Sequence, residues 1–130
     1  MAIDLTGMEL TRPERNVEIV DKYNEPTGLT FTIRPKTEDH YQKTMRWAQD
    51  QFATGKKVSA SRRRDIGDKL FMARVSGWKW EGAAKKAAGS PDFNASNLKS
   101  VLYDNGQHSA AIREQLTEAI GEEEDFLPEE

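Results

Sequence analysis

The sequence predicts an α+β fold, an N-terminal β-hairpin followed by a small bundle of about four helices, and three patterns carry that prediction. Apolar residues alternate with polar ones on both sides of a turn-forming segment in the first third of the chain. Beyond it, apolar residues recur every three or four positions, and capping residues and glycines punctuate the recurrences. With 130 residues the chain is one domain long. We read residues 1–15 as a flexible N-terminal arm, residues 16–120 as a single α+β domain and residues 121–130 as an acidic tail. Leu, Ile, Val and Phe number only 24, so the core should be thin.

In the hairpin, Val17 and Ile19 alternate with polar neighbours, and Asn24 to Gly28 supplies turn chemistry. Leu29, Phe31 and Ile33 then alternate with Thr30, Thr32 and Arg34, which places the three apolar side chains on one face. Pro35 removes a ladder donor and ends the strand. A lone hairpin is marginal in water, so that face needs a cover.

Thr37, followed by Glu38 and Asp39, reads as an N-cap with acids in the first helical turn. Tyr41, Met45, Ala48 and Phe52 then form one apolar stripe, which is expected to cover the hairpin, and Gly55 stops the helix. A second helix begins near Ser61 and runs through Ile66, Leu70 and Ala73 to a stop at Gly77, with Phe71, Met72 and Val75 widening its apolar face. From Gly77 to Gly82 the chain makes a compact bend. Trp78 and Trp80 are expected on opposite sides of it, one fully buried and the other an anchor. Ala83 to Gly89 is a loop or a weak helix. Asn94 or Ser96 caps a third helix containing Leu98, Val101, Leu102 and Tyr103, which Asn105 and Gly106 end. Ile112, Leu116, Ala119 and Ile120 mark a fourth, ending at Gly121.

Composition excludes several chemistries. There is no Cys, so disulfides, thiolate catalysis and Cys-ligated zinc are out, and two His cannot build a multi-histidine metal site. No Walker loop, dinucleotide fingerprint, His-Glu-x-x-His helix or Gly-x-Ser-x-Gly elbow is present. His40 and His108 have no partner in the sequence that would make either a catalytic base. We therefore expect no enzyme, no cofactor and no metal. No apolar run reaches the roughly 20 residues of a membrane span, and no signal peptide precedes the first strand, so no membrane partner and a cytoplasmic location are expected.

Charge is unevenly placed. The net charge is −3, yet the last ten residues hold six acids and no base. The other 120 residues therefore stand at +3, nineteen bases against sixteen acids. Lys56, Lys57, Arg62, Arg63 and Arg64 form a basic stretch, and three arginines in a first helical turn oppose the helix dipole. An acidic group should therefore lie near them, and the acidic tail is one source. Nucleic acid is an unlikely partner, because the net charge and the tail repel a polyanion. For partner binding we single out Trp47, Phe71, Trp78, Trp80, Arg62, Arg63 and Arg64, since exposed aromatics and arginines anchor protein interfaces.

One resemblance covers most of the chain. A helix ending Ala73-Arg74-Val75-Ser76-Gly77-Trp78 leads to Phe93-Asn94-Ala95-Ser96-Asn97-Leu98 and Val101-Leu102. There follow an amphipathic helix with Ile112, Gln115, Leu116 and Ile120, and an acidic end closing on Phe126. With Pro26-Thr27-Gly28 and Ile33-Arg34-Pro35 in front, this order of features resembles the tail assembly chaperones of long-tailed, siphovirus-like bacteriophages. The resemblance implies a non-enzymatic protein of the infected host cytoplasm that binds the tape-measure protein and tail-tube subunits during tail morphogenesis and is absent from the finished virion. Members of that family are often also made as a longer, frameshifted product. Many are helical, so the hairpin is a departure. Self-association is a further expectation, and the alternative role is a minor structural protein of the phage head or tail retained in the virion.

Overall fold

The computed structural model describes residue 3 and residues 14–36, 38–53 and 57–125, the side chains of 122–125 excepted. Expectations for Thr37, Gly55, Lys56, residues 126–130 and nearly all of the arm lie outside those residues. The fold is α+β, as expected, with a three-stranded antiparallel sheet in the order β1–β2–β3. The elements are β1 (Arg15–Val20), β2 (Pro26–Ile33), α1 (Asp39–Ala53), α2 (Ala60–Ala73), β3 (Val75–Trp80), α3 (Gly82–Ala88), α4 (Ala95–Tyr103) and α5 (Gly106–Asp125). The N-terminal hairpin is present as expected and a third strand joins it, while the helices number five among the described residues rather than four. The chain divides into two compact units, one over Ile33–Ser76 and the other over Asn16–Thr32 with Gly77 onward.

The first unit is a helix pair, α1 packed on α2. Tyr41 and Ala48 are buried on α1, and Ile66 and Ala73 on α2. The stripe fades toward the end of α1, where Phe52 is 49 % exposed. Glu38 caps the start of α1, its Oε1 accepting the His40 amide at 2.9 Å. Ser59 caps α2, its Oγ accepting the Arg62 amide at 3.1 Å, so the helix starts before Ser61. It also ends earlier than Gly77. The Arg74 amide closes it on Phe71 O at 3.1 Å, after which Val75 is a buried strand residue rather than part of a helical stripe.

Arg74 is only 4 % exposed. Its Nε donates to Arg34 O at 3.0 Å, and its guanidinium lies 5.3 Å from the Tyr41 ring centroid, within cation–π range. Arg34 reciprocates: its amide donates to Arg74 O at 2.7 Å and its Nη1 to Ala73 O at 2.9 Å. Two arginines thus clasp each other through backbone carbonyls, which supplies the hydrogen bonds that a buried guanidinium needs.

Arg34 also pairs with Glu38, Nε to Oε2 at 3.1 Å. The His40 amide is the main influence holding the Glu38 carboxyl below its ordinary value of 4.5, partial burial works against it, and the Arg34 charge adds to the lowering. A depressed folded-state pKa contributes stability above the unfolded-state value, and that stability is lost as pH falls through the folded-state value. Glu38→Gln should therefore flatten the acid side of a melting-temperature profile below the ordinary value of 4.5 and leave its slope near neutrality unchanged. An unchanged acid limb would contradict this assignment.

In the second unit the hairpin turns at Asp21–Glu25, slightly earlier than the sequence places it. Asp21 Oδ1 accepts the Tyr23 and Glu25 amides at 2.8 and 3.0 Å, and Asn24 takes a positive φ of 64°. Leu29, Phe31 and Ile33 are all buried on one face of β2, as the alternation requires, and Ile19 is buried on β1. α4 and α5 form a helical pair, with Leu98, Leu102, Leu116 and Ala119 buried on them. Asn94 caps α4 through the Asn97 amide at 2.8 Å, as expected. Gly106 opens α5 rather than merely closing α4, and His108 lies within that helix. Buried Ser109 is satisfied, donating to Val101 O at 2.7 Å and accepting the Asn105 amide at 2.9 Å. α5 continues past Gly121 to Asp125.

Gln115 on α5 meets β1 with both ends of its amide. Its Oε1 accepts the Val20 amide at 2.9 Å and its Nε2 donates to Val20 O at 2.9 Å. The side chain thereby offers the donor and acceptor that a neighbouring strand would offer to this edge. Gln115→Ala is expected to cost about 1–2 kcal/mol and to speed hydrogen exchange of the Val20 amide roughly tenfold. Unaltered exchange at Val20 would show that the clamp does not protect the edge.

Candidate partner-binding surface

The residues expected to bind a partner fall into two groups, one in each unit. In the first, Trp47 projects from α1, half-buried, and receives two cations from α2. The Arg62 guanidinium lies 5.7 Å from its ring centroid and the Lys69 ammonium 4.8 Å. Arg62 and Lys69 are seven apart, two helical turns, so they share a face of α2. Arg62 also donates from Nη2 to Gln51 Oε1 at 2.8 Å. Next to Gln51 stands the exposed Phe52. Arg63 and Arg64 are exposed on the first turns of α2 without meeting Trp47, and Phe71 is half-buried on the same helix, outside every ring pair of the described residues. The structure therefore joins Trp47 with Arg62 and leaves Phe71 apart.

The second group is aromatic throughout. The expected bend at Gly77–Gly82 is in fact β3 and the start of α3, and strand geometry corrects the expected divergence of its tryptophans. Residues two apart on a strand share a face, and Trp78 and Trp80 do so, their rings 5.5 Å apart, edge to face at 86°. Neither is fully buried. Trp78 also meets the buried Phe31 at 6.1 Å and Phe93 at 5.3 Å, both edge to face. Its indole Nε1 donates to Pro91 O at 2.9 Å, which ties the loop before α4 to the strand. The Trp80 Nε1 is buried and has no acceptor among the described residues. Trp78 is thus the hub of a structural cluster, and exposed apolar surface in this group belongs to Phe93, 41 % exposed.

Sequence reasoning missed Lys69 and Phe93. The spacing of Lys69 from Arg62 was a usable signal. Nothing local marks Phe93, which reaches Trp78 only through the loop from Gly89.

What these arrangements offer chemically is contact surface. The first presents exposed cations around an aromatic ring, suited to carboxylate-bearing and apolar side chains together. Among the described residues no group of three or more His, Cys, Asp or Glu could hold a metal ion, and no helix is long and apolar enough to cross a membrane. No family model, curated protein or solved structure matches the chain.

Proposed function

We propose that this chain is a non-enzymatic tail assembly chaperone of a long-tailed bacteriophage, acting in the host cytoplasm on the tape-measure protein and tail-tube subunits. The order of sequence features from Pro26 to Phe126 supports the reading, and one structural observation adds to it: the α1–α2 pair leaves Trp47 half-exposed under two cations. A chaperone of this kind must cover apolar stretches of a long helical partner and later release them. A partly desolvated aromatic ring supplies contact area, while exposed charges around it steer the encounter and keep the free surface hydrated.

The test is co-purification. Tagged chain should bring down tape-measure fragments from infected cells and should be missing from purified virions. Stoichiometric recovery in virions would replace this reading with that of a minor structural component of the head or tail. Trp47→Ala should weaken capture of tape-measure fragments by roughly tenfold or more, the effect of an interface anchor. Capture unchanged by that substitution would move the binding surface away from α1–α2.

A further inference from the structure

Among the described residues, the basic side chains at and just before the start of α2, and Lys69 further along it, have no anionic partner. Lys57, Arg62, Arg63, Arg64 and Lys69 are all exposed, and none forms an ion pair with a carboxylate among the described residues, although Asp65 and Asp68 lie on the same helix. The first turn of α2 contains no acid, so the positive end of its dipole adds to the arginine charge. Arg62 is satisfied by Gln51 and by the Trp47 ring, both neutral, which holds its position without cancelling its charge.

The sequence contains one segment of complementary composition. Gly121 to Glu130 carries six acids, no base, and an adjacent apolar pair, Phe126 and Leu127. Acids suit the exposed arginines, and a Phe-Leu pair suits the exposed part of the Trp47 ring. We propose that the acidic C-terminal segment of one copy of this chain binds the basic first turns of α2, with the Trp47 ring beside Arg62, on a second copy. The segment is present at the same concentration as the face, and as a polyanion it competes with any nucleic acid there. The contact is heterologous, segment to face, so the fraction associated grows with concentration and its affinity falls steeply with salt. It stands apart from the tape-measure reading: its failure would leave capture of tape-measure fragments untouched.

The experiment is a complementation by mass. Light scattering follows the weight-average mass of the full chain, of R62E/R63E/R64E and of a chain lacking residues 122–130, over a concentration series. Circular dichroism checks the fold of each, and the charge reversal also relieves the unfavourable cations at the start of α2. The full chain should rise above its monomer mass of 14.7 kDa with concentration. That rise should disappear between about 50 mM and about 500 mM salt, as the screening length contracts severalfold. Each variant alone should associate at least tenfold more weakly. An equal mixture of the two should form heterodimers, because one supplies the face and the other the segment. A full chain that stays monomeric at every concentration, including one in which the segment binds within its own molecule, overturns the proposal. So does a mixture that fails to associate.

Discussion

Gly28→Ala is expected to destabilise the protein by about 3 kcal/mol or more, among the larger costs of a single substitution. Two independent terms combine. Gly28 has a φ of 90°, a conformation that side chains with a Cβ rarely adopt. A Cβ built there would also collide with the backbone carbonyl of Glu81, which cannot rotate away as a flexible side chain would. The close approach exists because the Glu81 amide donates to Gly28 O at 2.8 Å, joining the start of β2 to the end of β3. Relieving the clash therefore means lengthening that bond. Gly67→Ala is the informative comparison, since a Cβ on that α2 residue meets nothing within 4 Å. It should stabilise by roughly 0.5–1 kcal/mol through helix propensity. Urea unfolding of both variants checks the pair, and equal effects at the two glycines would refute the account.

Trp78→Ala should cost about 3 kcal/mol, comparable to other large aromatic truncations. It removes three edge-to-face contacts at once, with Phe31, Trp80 and Phe93, and strands Pro91 O without its donor. Trp78→Phe keeps much of the ring area and loses the indole donor, so it should cost about 1 kcal/mol. Near-ultraviolet circular dichroism should lose most of its aromatic intensity in Trp78→Ala, because the coupled rings no longer share a fixed geometry. Trp47→Ala, by contrast, removes a half-exposed ring and should cost well under half as much stability, about 1 kcal/mol. Similar losses at the two positions would mean that Trp47 is a core residue.

This division was only partly legible in the sequence. The buried row Leu29, Phe31 and Ile33 could be read because a half-buried strand writes its geometry into adjacent residues. The cap at Asn94 and the buried positions on α4 and α5 could be read for the same reason. β3 could not. Its Val75 continues the helical spacing of Ile66, Leu70 and Ala73, and its ladder partner is β2, more than forty residues earlier, so local pattern favoured a longer α2. The bend reading followed from Gly77 and Gly82, and it misplaced Trp78 and Trp80 because it lacked the strand on which both share a face. Burial of Arg74 had no local signal either, since Arg34 supplies the acceptor from 40 positions away. At the surface, the arginine row was plain, whereas its association with Trp47 depends on how α1 meets α2.

The amide clamp from Gln115 has an implication for how the chain is made. Synthesis runs from the N-terminus, so the first hairpin leaves the ribosome well before the residue that seals its outer strand. During that interval the Val20 peptide group is exposed to pairing with any other extended chain. A translational shift or stall upstream of codon 115 would release a polypeptide whose raw margin is never finished, and such truncated products should be unusually prone to precipitate.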